Sequence, residues 1–146
     1  MRIVLYILML AALFFVPLQR VEIANLEPIQ AVWMYRENGN VILETDTDDK
    51  GSGATVADAL VDMKNISPGI VYLDTAQYLF ISETAIEDVR AVQPHLKNSV
   101  RLCIWSGQGE LKSAVEYADS HEIGLKIREW EGVGKLPELP PVKKEK

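Results

Sequence analysis

An Asn-Gly pair at positions 38 and 39, set between two apolar runs, restricts the fold of this chain more than any other feature. Both loop residues of a two-residue hairpin need positive φ, and Asn followed by Gly accepts that geometry at low cost. The flanking runs, Ile29–Arg36 and Val41–Thr45, are therefore predicted to be antiparallel strands. The short turn also sets their register, pairing Tyr35 with Ile42, Trp33 with Glu44 and Met34 with Leu43. Side chains alternate across a strand, so Trp33, Tyr35 and Ile42 share one sheet face while Met34 and Leu43 share the other.

After the hairpin comes a polar loop, Asp46 to Gly53. Thr55 and Asp58 then read as the capping pair of a helix with Val56, Ala59, Leu60 and Met63 on one face. Ser67-Pro68-Gly69 ends that unit. Ile70–Leu73 and Gln77–Ile81 are extended in character, and the second is the better strand. Ser82 is placed to cap a helix carrying Ala85, Ile86, Val89 and Val92, which Pro94 helps to end. Val100–Trp105 alternates as a strand. Ser106-Gly107-Gln108-Gly109 turns into a helix aligning Leu111, Ala114, Val115 and Ala118, and Ile123–Trp130 is the last strand. The pattern predicts an α/β fold: a mixed β-sheet of about five strands, three helices mainly on one face, and an N-terminal apolar helix.

That N-terminal segment is uniformly apolar from Ile3 to Leu18 apart from Pro17, between Arg2 and Arg20. Sixteen helical residues reach roughly 24 Å, less than the ~30 Å of a hydrocarbon layer, as in a signal-peptide core. Against cleavage, no small-x-small pair follows Pro17 at a suitable distance. Ala24 is the nearest candidate, with Glu22 at its −3 position. No cysteine is placed there to accept a lipid. An uncleaved anchor through residues 3–18 is favoured over a cleaved signal. The first makes the protein membrane-attached and extracytoplasmic, the second secreted. The chain divides into this segment (1–20), an α/β domain (21–131) and a Pro/Lys tail (132–146) expected to be extended and flexible.

Within 21–131, nine Lys/Arg stand against nineteen Asp/Glu, a net charge of −10. Such a domain is repelled by nucleic acid and by anionic lipid head groups, which argues against nucleic acid as a partner. The single cysteine, Cys103, leaves no intrachain disulfide and is read as a small buried hydrophobe.

No motif builds a convincing active site, and neither a metal nor a cofactor is expected. The run Asp46-Thr47-Asp48-Asp49-Lys50-Gly51 departs from a calcium loop at Lys50 and at Ala57, where ligands are needed. Gly51-Ser52-Gly53 and Ser106-Gly107-Gln108-Gly109 precede helix starts, where backbone N–H groups hold anions. Neither completes a phosphate-binding fingerprint, and the second is kept as a candidate anion or ligand loop. His121, at a helix C-terminus, has a structural role as complement to the helix end.

Parity supplies the other candidate. If Val100, Leu102, Ile104, Ile123, Leu125 and Ile127 face the helices, Arg101, Trp105, Arg128 and Trp130 lie on the opposite face with Trp33, Tyr35 and Ile42. These seven residues are expected either to form an uncovered sheet face for a protein partner or for self-association, since Trp and Arg dominate interface energetics, or to be covered within the chain by the N-terminal segment, the tail or a second helix layer.

The order of elements also resembles the N-terminal domain of the Ger(x)C family, the C subunits of spore germinant receptors. The similar pieces are Arg20-Val21-Glu22-Ile23 after an export segment, Ile29–Tyr35, Gly53–Met63, Gln77–Ser82 leading into Glu83–Val92, and Val100–Ile104 followed by Glu110–Ser120. The resemblance implies a membrane-attached, non-enzymatic component of sporulation or germination that acts through protein contacts. The runner-up is an exported small-ligand-binding module using Ser106–Gly109.

Overall fold

The computed structural model describes residues 3–7, 9, 28–132 and 134–142. Its frame is one six-stranded mixed sheet. The strands are β1 (Ala31–Glu37), β2 (Asn40–Thr45), β3 (Lys50–Gly53), β4 (Tyr78–Ile81), β5 (Arg101–Ile104) and β6 (Leu125–Lys126), in the order β3-β2-β1-β4-β5-β6. β1, β4 and β5 are parallel neighbours, and β2, β3 and β6 pair antiparallel. The hairpin forms in the predicted register, Tyr35 opposite Ile42, Trp33 opposite Glu44 and Met34 opposite Leu43. Asn38 and Gly39 both take positive φ, 51° and 83°, as the turn requires.

β3 is a strand where the composition suggests a loop. Lys-Gly-Ser-Gly has little strand preference of its own, yet it pairs with β2 from Gly53 opposite Val41 to Lys50 opposite Glu44. Its glycines also let α1 (Val56–Ile66) pack directly on the backbone. A Cβ on Gly51 would lie within 2.6 Å of Met63 Cβ and closer still to the Ala59 carbonyl oxygen. The α1 cap is as predicted: Thr55 Oγ1 accepts the Asp58 N–H at 3.2 Å, and Val56, Ala59, Leu60 and Met63 are buried.

The second predicted helix is broken. Glu83–Asp88 and Gln93–His95 are 3-10 turns around a four-residue α-helix, α2 (Val89–Val92). The Ser82 side chain makes no capping bond, and Pro94 removes a backbone donor within the final turn. The apolar stripe still works, because Ala85, Val89 and Val92 are buried. With α1 they cover the sheet face of Met34, Leu43, Leu79, Ile81 and Leu102.

The third helix, α3 (Leu111–Ser120), lies on the opposite face. Its Ala114, Val115 and Ala118 pack with Tyr78, Phe80, Cys103 and Trp105. The helices are therefore divided between two faces: α1 and α2 share the expected one, and α3 departs from it. The parallel steps β1 to β4 and β4 to β5 need right-handed crossovers and so share a side. β5 to β6 is antiparallel and carries no such constraint.

The C-terminal segment also differs from the expected free tail. Ile104 donates its N–H to the Pro137 carbonyl, and Leu139 donates to the Ile104 carbonyl, both at 2.8 Å. Leu136 and Leu139 are buried. The predicted last strand is short: β6 has two residues, Ile127–Glu129 is a 3-10 turn, and the outer edge of β5 passes from β6 to the tail. Ile70–Leu73 is not a strand either. Leu73–Thr75 forms a 3-10 turn ahead of β4.

Residues 3–7 and 9 are helical, and their side chains are exposed. The remainder of the apolar segment, with Gln19 and Arg20, lies outside the described residues, as does Arg20–Ile23 of the family resemblance. Among the described residues no helix is long and apolar enough to cross a membrane.

Candidate functional site

Alternation in β1, β4 and β5 sends Trp33, Tyr78, Phe80, Cys103 and Trp105 to one side of the sheet. There they form a continuous aromatic layer. Trp33 stacks on Tyr35 with ring centroids 4.1 Å apart and meets Trp105 edge-on at 5.0 Å. Phe80 lies 5.7 Å from Trp105 and 5.8 Å from Tyr78.

This is the face expected to be open for a partner, and most of it is closed. α3 and the tail segment to Val142 pack over it, leaving Trp105 1% exposed. Ile42 is buried as well. Trp130 is not on this face: the 3-10 turn at Ile127–Glu129 ends the alternation, and its ring packs against the other core. Arg128 is largely exposed beside Glu129. Arg101 stays with Cys103, on the side where Gly124 approaches both. Of the seven predicted residues, the structure brings Trp33, Tyr35 and Trp105 together and takes Trp130 away. Tyr78 and Phe80, which complete the layer, were missed; a parity count extended to Gln77–Ile81 finds them.

Still accessible on this face is a cleft of about 410 Å³ at the start of α3. Trp33 and Trp105 form its aromatic floor, and Glu44, Asp46, Asp48 and Glu110 stand around it with a single base, Lys112. Asp46 is turned inward, accepting the backbone N–H groups of Gln30 and Ala31 at 2.9 and 3.1 Å. It ties the turn after β2 to the start of β1. Asp48 is exposed, with a positive φ of 66° in that turn. Glu44 pairs with Lys50 at 3.7 Å, and the Lys50 ammonium lies 5.7 Å from the Tyr35 ring centroid. The chain thus already sets one cation against this aromatic and acidic surface.

The loop Ser106–Gly109 borders the same cleft. Gly107 lies against the Trp33 ring, where a Cβ would come within 2.4 Å of its carbons. Gly109 lies both in the cleft wall and against the Val142 carbonyl. Both have positive φ, 79° and 108°. Glu110 occupies the N-cap of α3, so carboxylates surround this helix start, and the chemistry favours a cation over the anion that the glycines alone suggest. Ser106 and Gln108 face the tail residues Glu138–Pro141.

The indole N–H groups of Trp33 and Trp105 at this site, like that of Trp130 away from it, are buried and meet no acceptor among the described residues. Cys103 sits behind the aromatic layer, fully buried. Burial, offset in part by Arg101, pushes its thiol up to about 12, so it is a packing residue rather than a nucleophile. His121 caps α3, with Nδ1 2.9 Å from the Tyr117 carbonyl oxygen and its ring stacked on Tyr117. Among the described residues no group of His, Cys, Asp and Glu is arranged to hold a metal.

The chain matches no protein-family model, no curated protein and no solved structure.

Proposed function

We propose that the protein is a membrane-attached, extracytoplasmic interaction component without catalytic chemistry of its own, which holds a basic segment of a partner protein in the aromatic–acidic cleft. The setting in sporulation or germination rests on the resemblance to the N-terminal domain of germinant-receptor C subunits. The cleft takes over the binding role first assigned to the whole tryptophan face.

The observation that carries this reading is the Trp33–Trp105 lining of a cleft around which Glu44, Asp46, Asp48 and Glu110 stand against one lysine. Guanidinium and ammonium groups are attracted both to tryptophan faces and to carboxylates. A basic peptide supplies both kinds of group.

The full-length protein in lipid nanodiscs tests this with a short acetylated Arg/Lys peptide, an Asp/Glu peptide of equal length, and free arginine amide. Saturable quenching or shift of tryptophan emission by the basic peptide alone, weakened by Asp48→Asn, is the expected result. An equal response to the acidic peptide overturns the reading. The runner-up, a small-ligand module, draws on Gly107 and Gly109 as close-fitting walls of this cleft; free arginine amide binding as tightly as the peptide would favour it.

A further inference from the structure

At the end of the sheet where β1 and β4 begin, the described domain leaves large apolar side chains in solvent. Ile66, at the end of α1, is 66% exposed, and Ile70 and Tyr72, in the loop that follows, are 56% and 49% exposed. Ile70 and Tyr72 also line an open depression of about 600 Å³ with Leu60, Lys64 and His95. Contiguous exposure of this kind marks a surface that meets something else.

The chain indicates what that is. Residues Pro28–Gln30, where the N-terminal segment joins the domain, lie directly beside this loop. The Thr75 hydroxyl stands 3.0 Å from both the Ile29 and the Tyr72 carbonyl oxygens, and Ile29 and Leu73 share one core cluster with Val71 packed on it. Nine residues, 19–27, separate the apolar run ending at Leu18 from Pro28. Fully extended they reach roughly 30 Å, so a bilayer holding residues 3–18 keeps Pro28 within that distance of its surface. The described residues of that run, Ile3–Ile7 and Met9, are themselves exposed and so do not cover the patch. The side chains are mostly of the interfacial kind: aliphatic groups on a Pro-Gly loop and a tyrosine, with Lys64, His95 and one carboxylate, Asp74, around them.

We infer that the loop Ile66–Tyr72 rests against the lipid surface of the membrane that holds the N-terminal segment, so that the domain sits with the starts of β1 and β4 toward the bilayer and the Asn38-Gly39 turn away from it. This rests on the membrane-attached reading of residues 3–18, and the test separates the two. Full-length protein carrying Ile70→Cys, Leu5→Cys or Glu37→Cys is labelled with an environment-sensitive fluorophore and reconstituted into zwitterionic phosphatidylcholine vesicles containing nitroxide-labelled phosphatidylcholine. Cys103, with no exposed surface, stays unlabelled. The expected result is blue-shifted emission and strong quenching at positions 5 and 70, with neither at position 37, which lies at the far end of the hairpin. Quenching at 5 without quenching at 70 overturns the loop contact and leaves the anchor standing. Absence of quenching at both overturns the anchor and the contact together. A blue shift at 70 that lipid nitroxides do not quench means that protein, a second copy or the N-terminal segment, covers the patch, and that also overturns the inference.

Discussion

Leu139 donates its backbone N–H to the Ile104 carbonyl oxygen at 2.8 Å, and its side chain is 2% exposed in the layer that contains Trp105. The tail therefore both extends the sheet edge and closes the aromatic face. Leu139→Ala is expected to lower stability by about 2–5 kcal/mol, the range for buried leucines, read from denaturant unfolding. Truncation after Gly134 removes the strand-edge bonds as well. It should cost more and promote self-association through the uncovered edge of β5, visible in sedimentation.

Trp105→Ala should cost roughly 3–5 kcal/mol, because the side chain is internal and a large cavity results. Trp130→Ala should cost less, since that ring is only partly buried at the edge of the other core. Comparable, near-zero losses at both positions would contradict the two-faced packing.

Gly51→Ala tests the close approach of β3 and α1. The added methyl meets backbone atoms of α1 and Met63 Cβ, which cannot swing aside as a flexible side chain would. A loss of ~1–3 kcal/mol or more is expected from the overpacking, measured as a fall in the denaturation midpoint. Gly69→Ala, with open space around it, is the control.

The Cys103 thiol sets an alkaline limit. Its ordinary value is 9.0, and burial raises it to about 12 in the folded protein. Between those values the unfolded chain has lost a proton that the folded chain keeps. Stability is thus unaffected by this group below pH 9 and falls as pH rises from about 9 toward 12, by up to roughly 1.4 kcal/mol per pH unit. Tyr78, raised by burial and by its hydrogen bond to Asp119, acts in the same direction. Urea unfolding across this range should show the decline, with a shallower slope in Cys103→Ala.

Local signals were legible in the sequence. The Asn38-Gly39 turn fixed a register that holds from Val32 to Glu37, and the Thr55–Asp58 cap and α1 face follow from a single motif and its period. What was not legible depends on neighbours. Lys50–Gly53 is a strand because β2 and α1 lie against it, not from its own preference. Leu136 and Leu139 read as isolated apolar residues among prolines, and only the edge of β5 makes them core. The side taken by α3 is not encoded in its stripe, since an antiparallel return to β6 permits either face. Parity found Trp33 and Trp105 together, but it carried Trp130 past the point where the strand ends.

The cleft is tested most directly by the indole N–H resonances of the full-length protein in nanodiscs, titrated with the acetylated Arg/Lys peptide. The account predicts that the Trp33 and Trp105 indole signals shift together as the peptide occupies the cleft they line, that the Trp130 signal stays in place, and that Asp48→Asn weakens the response. Unmoved Trp33 and Trp105 signals at saturating peptide, or an equal shift at Trp130, would contradict it.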